Sequence, residues 1–78
     1  MILVDISRFN IEITRHAFMQ AMKRGIHPDL IEDTLTKGKV EIYGKHGIKF
    51  ISKGRRTIIC VGECVGTQIK IFTVEEGN

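Results

Sequence analysis

Polar side chains recur at helical spacing in the N-terminal part of the chain. His16, Gln20 and Arg24 stand at positions i, i+4 and i+8, so they share one face if this stretch is helical. Such a face suits phosphate contact, and it also suits acid–base catalysis with His16 and Arg24 as the catalytic pair. The alternative is a solvated helix face on which His16 has only a structural role. Both interpretations stay open at this level.

A second group of basic residues lies further along the chain. Residues 37 to 56 include seven basic side chains and one acid, whereas the whole chain carries a net charge of +3. Two arginines stand beside a predicted turn, and their forked guanidinium groups match the geometry of phosphate. The alternative is a sheet edge or hairpin tip that charge keeps soluble. The predicted nucleic-acid contacts are Gln20, Lys49, Lys53, Arg55 and Arg56.

Neither the cysteines nor the histidines indicate a metal site. Cys60 and Cys64 would lie about 13 Å apart on one extended strand, at ~3.3 Å per residue, which is too far for a disulfide. A single C-x3-C pair is typical of half-buried apolar positions rather than of zinc. The histidines show no metal-binding spacing, and no phosphate-binding or dinucleotide motif is present. We predict no metal and no cofactor.

Two short helices must hold the first group of residues. Thr14 is the expected N-cap of the first helix, and Gly25 is expected to end it. The spacing of the apolar residues predicts a buried face made of Phe18, Ala21, Met22 and Gly25. The second helix is expected to begin at Pro28 and to end at Gly38. Its predicted inner face consists of Leu30, Ile31, Thr34 and Leu35.

After the second helix the apolar period changes to two, which is typical of strands. Strands are predicted around Val40 to Tyr43, Ile48 to Lys53, Thr57 to Val65 and Ile69 to Val74, with Gly62 as a bulge or bend. Short turns join them, so the strands should pair antiparallel in chain order. The predicted fold class is α+β: two N-terminal helices packed on a three- to four-stranded antiparallel sheet. An extra strand at Met1 to Ile6 is left open, paired either with this sheet or with a partner copy.

Length and hydropathy limit the class of protein. A chain of 78 residues with 42% apolar residues forms one domain, residues 1-78, with a small core. Because dimerisation would add buried area, a homodimer is one of the expected states. No apolar run approaches the ~18 residues of a membrane span, and the first residues lack the basic start of a secretory signal. We therefore predict a cytoplasmic protein without membrane contact.

Three segments together resemble a known family. They are Ile13-Thr14-Arg15-His16-Ala17, Met22-Lys23-Arg24-Gly25-Ile26 and the final Ile71-Phe72-Thr73-Val74. The pattern is similar to that of the family catalogued as domain of unknown function 4258, whose members resemble toxins of the RelE and BrnT type. The resemblance implies a RelE-like fold, messenger RNA as substrate, cleavage without metal, and an antitoxin-like protein as partner. His16 and Arg24 match the family motif, whereas Gln20 replaces its usual arginine and weakens the basic stripe.

Three functions follow as predictions. The first is a metal-independent ribonuclease of the toxin type in toxin–antitoxin systems, with His16 as acid or base and arginines that stabilise the charged transition state. The second is a non-catalytic module that binds RNA or a protein. The third is a structural interaction protein whose sheet pairs across a two-fold axis.

Overall fold

The computed structural model of the chain describes residues 9–77. In this part of the chain, five strands and two helices form one α+β arrangement. Strands take 51% of it and helices 28%, so the fold is strand-rich. The elements are β1 (Asn10–Ile13), α1 (Arg15–Lys23), α2 (Pro28–Lys37), β2 (Lys39–Tyr43), β3 (Gly47–Lys53), β4 (Thr57–Val65) and β5 (Gln68–Gly77).

All five strands form one mixed sheet in the order β1-β5-β4-β3-β2. Strands β2 to β5 pair antiparallel in chain order, and β1 pairs parallel with β5. The predicted three- to four-stranded antiparallel sheet is therefore wrong in strand number and in strand direction. The predicted strand at Met1 to Ile6 lies outside the described residues.

The short strand β1 is the element that the sequence prediction missed. Its alternation covers only Ile11 to Ile13, which is too short to distinguish a strand from an extended lead-in to the helix. It is a strand because a distant segment, β5, supplies its hydrogen bonds. The amide of Asn10 donates to the carbonyl of Thr67 at 2.8 Å, and the amide of Thr14 donates to the carbonyl of Ile71 at 2.9 Å.

Helix α1 has the predicted ends but a different buried face. The hydroxyl oxygen of Thr14 accepts a hydrogen bond from the amide of Ala17 at 3.1 Å, which confirms the predicted N-cap. The buried residues of the helix are Ala17 and Ala21, and their small side chains let its backbone approach β5. Phe18 and Met22, predicted to be buried, remain 40% and 36% exposed. The buried face of α1 therefore lies further round the helix than the predicted face.

Helix α2 agrees more closely with its prediction. It begins at Pro28 and ends at Lys37, and it packs on β3 and β4. Ile31, Thr34 and Leu35 are buried. The hydroxyl of Thr34 donates to the carbonyl of Leu30 at 2.7 Å, so this buried polar group is satisfied within the helix.

Both helices cover one face of the sheet, and a bulge in β5 changes which residues of that strand lie on this face. Val61 pairs with Thr73, but Gly62 pairs with Ile71, so Phe72 is an extra residue in β5. The bulge brings Val74 onto the same buried side as Ile71, contrary to the alternation predicted from the sequence. The predicted irregularity at Gly62 is confirmed in position, but the extra residue lies on the partner strand.

Candidate nucleic-acid interface

A surface groove of about 280 Å³ runs along α1. We call it the α1 groove, and its lining residues are His16, Met19, Gln20, Lys23 and Arg24. The structure thus brings together the three residues whose spacing predicted a common face. No acidic side chain lines this groove. A cationic groove of this kind suits a negatively charged ligand.

One lining residue of the α1 groove, Gln20, has a side-chain oxygen in an unusual environment. Its side-chain oxygen is buried and accepts no hydrogen bond from any residue in the range 9–77. A buried acceptor without a donor costs about 1–3 kcal/mol. The oxygen is covered by the protein, so a ligand that brings a donor would reach it only after the Gln20 side chain turns into the groove.

Arg24 lies at the end of the α1 groove and also has a structural contact. Its Nη1 donates to the carbonyl of Val74 at 3.0 Å, which ties the end of α1 to β5. Val74 lies in the part of β5 that extends past the end of β1. One guanidinium nitrogen of Arg24 is therefore committed to the fold.

Arg56 makes a set of contacts that we call the Arg56 clamp. Its Nε donates to Oε2 of Glu76 at 2.6 Å, and its Nη2 donates to Oε1 at 3.2 Å. Its Nη1 donates to the carbonyl of Gly25 at 2.8 Å, and Nη2 also reaches the carbonyl of Arg24 at 3.2 Å. These hydrogen bonds lower the pKa of Glu76 and raise the pKa of Arg56.

The Arg56 clamp bears on the prediction that Arg56 binds phosphate. All three guanidinium nitrogens of Arg56 donate to acceptors of the protein itself. A phosphate would have to displace Glu76 or the end of α1 to reach this side chain. The signal for this role was weak in the sequence, since Glu76 lies twenty residues away.

The other predicted basic contacts lie elsewhere. Lys53 lines a second groove of about 350 Å³, the edge groove, together with Lys37, Lys39 and Glu41. Lys49 lies on the sheet face opposite the helices, where its Nζ is 5.1 Å from the ring centre of Tyr43. Arg55 is exposed in the turn between β3 and β4. The basic residues predicted to bind nucleic acid therefore do not converge on one surface.

Lys23 is the α1-groove residue that the predicted contacts omitted. It lies seven residues after His16 and next to Arg24, so helical spacing was enough to place it on this side of α1. It was passed over because the prediction followed a strict i, i+4, i+8 pattern. A groove along a helix includes the residues on both sides of such a line.

The cysteines and the metal-binding residue types carry no cofactor chemistry in the described part of the chain. Cys60 and Cys64 are both free, and burial raises the pKa of the Cys60 thiol to about 12. Within residues 9–77, no group of three or more histidine, cysteine or acidic side chains is placed to hold a metal ion. Neither α1 nor α2 has the length and apolar character to cross a membrane.

Comparison with known proteins does not add to this geometry. No protein-family model, no curated protein and no solved structure matches the chain. The resemblance drawn from the three sequence segments therefore remains a prediction.

Proposed function

We propose that the chain binds a short segment of single-stranded RNA in the α1 groove. The observation that carries this proposal is the meeting of His16, Gln20, Lys23 and Arg24 in one groove that no acidic side chain lines. Cationic side chains attract the phosphates, and the Gln20 side chain turns into the groove so that its amide oxygen accepts from a hydroxyl or amino group of the nucleotide.

RNA fits the Gln20 oxygen better than DNA does. The 2′-hydroxyl of ribose is a hydrogen-bond donor that DNA lacks, and it is the group by which proteins distinguish the two. The groove spans nine residues of helix, about 12 Å at 1.5 Å per residue, so it holds only a few nucleotides. Affinity should therefore be modest and sensitive to salt.

The test of binding compares two lysine variants that remove the same charge. Fluorescence anisotropy with a labelled single-stranded RNA should show that Lys23→Ala weakens binding by about three- to tenfold and lowers the salt slope by about one unit. Lys45→Ala, in the turn before β3, should change the affinity less than about twofold. Equal losses in the two variants, or no binding by the unmodified chain, would refute the proposal.

The Gln20 contact has its own test. A DNA oligonucleotide of the same sequence should bind more weakly than the RNA. Gln20→Met keeps the length of the side chain and removes the acceptor, so it should reduce the preference for RNA. If the preference persists in Gln20→Met, the 2′-hydroxyl does not bind at Gln20.

A second candidate function, metal-independent RNA cleavage, is supported by the position of His16 in the same groove as the cations. His16 would take the proton of the 2′-hydroxyl while that oxygen attacks phosphorus and the P–O5′ bond breaks. Water would supply the proton to the leaving oxygen. Lys23 and Arg24 would stabilise the charge that develops on the phosphate.

Incubation of purified protein with RNA in EDTA tests this second function. Cleavage that His16→Ala abolishes, with binding largely retained, would support a toxin-type ribonuclease. Binding without cleavage would leave the non-catalytic RNA-binding role. We propose the cytoplasm as the location of either activity, since free cysteines suit a reducing compartment.

A further inference from the structure

The strand β2 forms one edge of the sheet. On its inner side it pairs with β3 over its full length, and no strand within residues 9–77 pairs with its outer side. An edge of this kind presents a row of backbone N–H and C=O groups that another strand can bind. The edge is five residues long, Lys39–Tyr43.

The side chains of β2 are also exposed, except that of Val40, which is half-buried against the core. The helices pack mainly on other strands, α1 on β5 and α2 on β3 and β4. Val40 and Ile42 point to the helix side of the sheet, since they are paired with the buried residues Phe50 and Ile48. Ile42 is nevertheless 54% exposed. An apolar strip thus runs along an unpaired edge.

The opposite face of β2 carries two opposite charges. Lys39 and Glu41 share this face, and neither takes part in an ion pair within the described residues. Lys39 and two further lysines line the edge groove, where Glu41 is the single acid. The edge groove therefore has an excess of positive charge that another carboxylate would offset.

We propose that β2 pairs antiparallel with β2 of a second copy of the chain, with Val40 opposite Val40 of the second copy. The two sheets then form one continuous sheet of ten strands, five from each copy. In this register, Lys39 lies opposite Glu41 of the second copy, and the pair occurs twice by symmetry. Each edge groove gains one carboxylate, and Val40 meets its counterpart on the helix side, while Ile42 lies opposite Gly38 of the second copy.

Charge selects this register among those that symmetry allows. Side chains opposite each other must lie on the same face, so the pairing can shift only in steps that preserve the alternation. Centring the pairing on Lys39 or on Glu41 sets like charges against each other. Centring it on Ile42 brings Lys39 opposite Lys45. Centring it on Tyr43 sets Glu41 opposite Lys45, which lies in the turn after the strand. Only the register centred on Val40 pairs a lysine and a glutamate that both belong to β2.

The part of β5 that extends past the edge strand β1 does not offer the same self-complementarity. Strand β1 covers β5 from Gln68 to Ile71, and Arg24 binds the carbonyl of Val74. The rest of β5 carries Glu75, which would repel its copy if the two met across a two-fold axis, and Glu76, which Arg56 already binds. The free part of β5 is therefore a poorer edge for pairing than β2, and the β2 edge shares no residue with the proposed RNA site on α1.

The test reverses each charge alone and then both together in the full chain. Sedimentation velocity over a concentration series should show a species of twice 8.8 kDa for the unmodified chain. Lys39→Glu and Glu41→Lys should each weaken dimerisation by about tenfold or more, because each creates two like-charge pairs. The double variant restores both pairs and should return to within about threefold of the original constant.

Circular dichroism of each variant checks that the fold is intact, and both positions are exposed. A chain that stays monomeric to about 0.5 mM, far above the Kd values of specific dimers, would overturn the proposal. So would single variants that dimerise as well as the unmodified chain, or a double variant that stays as weak as the singles. A change in net charge alone cannot weaken both single variants, because Lys39→Glu lowers the net charge from +3 to +1 whereas Glu41→Lys raises it from +3 to +5.

Discussion

At the scale of single residues, Arg56 shows how one side chain can join distant parts of a small fold. It stands just before β4, yet it reaches the carbonyls of Arg24 and Gly25, directly after α1, and the carboxylate of Glu76 on β5. Carbonyls at the end of a helix have no partner within the helix, and a cation there also suits the helix dipole. The same chemistry that suggested phosphate binding is thus used inside the protein.

The Arg56 clamp predicts a dependence of stability on pH. The pKa of Glu76 is lowered in the folded state, so the clamp stabilises the fold above the ordinary pKa of about 4.5 and loses this effect as the pH falls through the lowered value. Thermal melts should show a lower Tm for Glu76→Gln than for the unmodified chain near pH 7. The difference should narrow below about pH 4.5.

Glu75→Gln is the matched control for this prediction. It removes the same charge one residue earlier, and Glu75 takes part in no ion pair among the described residues. Its Tm should follow that of the unmodified chain at neutral pH. Equal effects of the two substitutions would show that net charge, not the clamp, governs the response.

At the scale of elements, the close approach of β4 and β5 depends on Gly62. A Cβ atom at this position would collide with the carbonyl oxygen of Lys70 and would lie 3.0 Å from the Cα of Ile71. These are backbone atoms of the paired strand, so they cannot move aside as a flexible side chain would. The glycine therefore permits the bulge that turns Val74 toward the core.

We expect Gly62→Ala to destabilise the fold by about 2–3 kcal/mol, as an overpacked core position does. Urea denaturation would measure this as a fall in the midpoint. Gly54→Ala is the matched control, since a Cβ atom there has no neighbour within 4 Å. It should change the free energy of unfolding by less than about 0.5 kcal/mol. Similar losses at the two sites would contradict the packing argument.

At the scale of the whole molecule, the sheet brings the two ends of the described chain together. The parallel pair of β1 and β5 joins residues 10–13 to residues 68–71, so the fold closes only when its first and last strands meet. Strand β4 lies at the centre of the sheet, with β3 on one side and β5 on the other. Ile58, Cys60 and Gly62 from this strand are buried.

This arrangement predicts the order of hydrogen exchange. Amides of β4 should exchange slowest, because they open only with the whole sheet, whereas the edge strand β2 should exchange faster. Amide exchange followed by NMR at low protein concentration would measure both. A β2 as protected as β4 at low concentration would contradict the predicted order, and slowing of β2 with rising concentration would report the proposed dimer.

Local chemistry was enough to place several features from the sequence. The cap at Thr14, the start of α2 at Pro28 and the inner face formed by Ile31, Thr34 and Leu35 all follow from interactions within four residues. The common face of His16, Gln20 and Arg24 also follows from helical spacing. Residues that are neighbours along a helix are neighbours in space in any fold that contains that helix.

Tertiary structure decided everything that depends on partners distant in the chain. It made β1 a strand by pairing it with β5, turned Ala17 rather than Phe18 toward the sheet, and used Arg56 to hold Glu76 and the end of α1. Spacing shows which residues share a face, but contacts across the fold determine what covers that face. For the same reason the α1 groove was visible in the sequence, whereas the uncovered edge at β2 became visible only when the strands were in order.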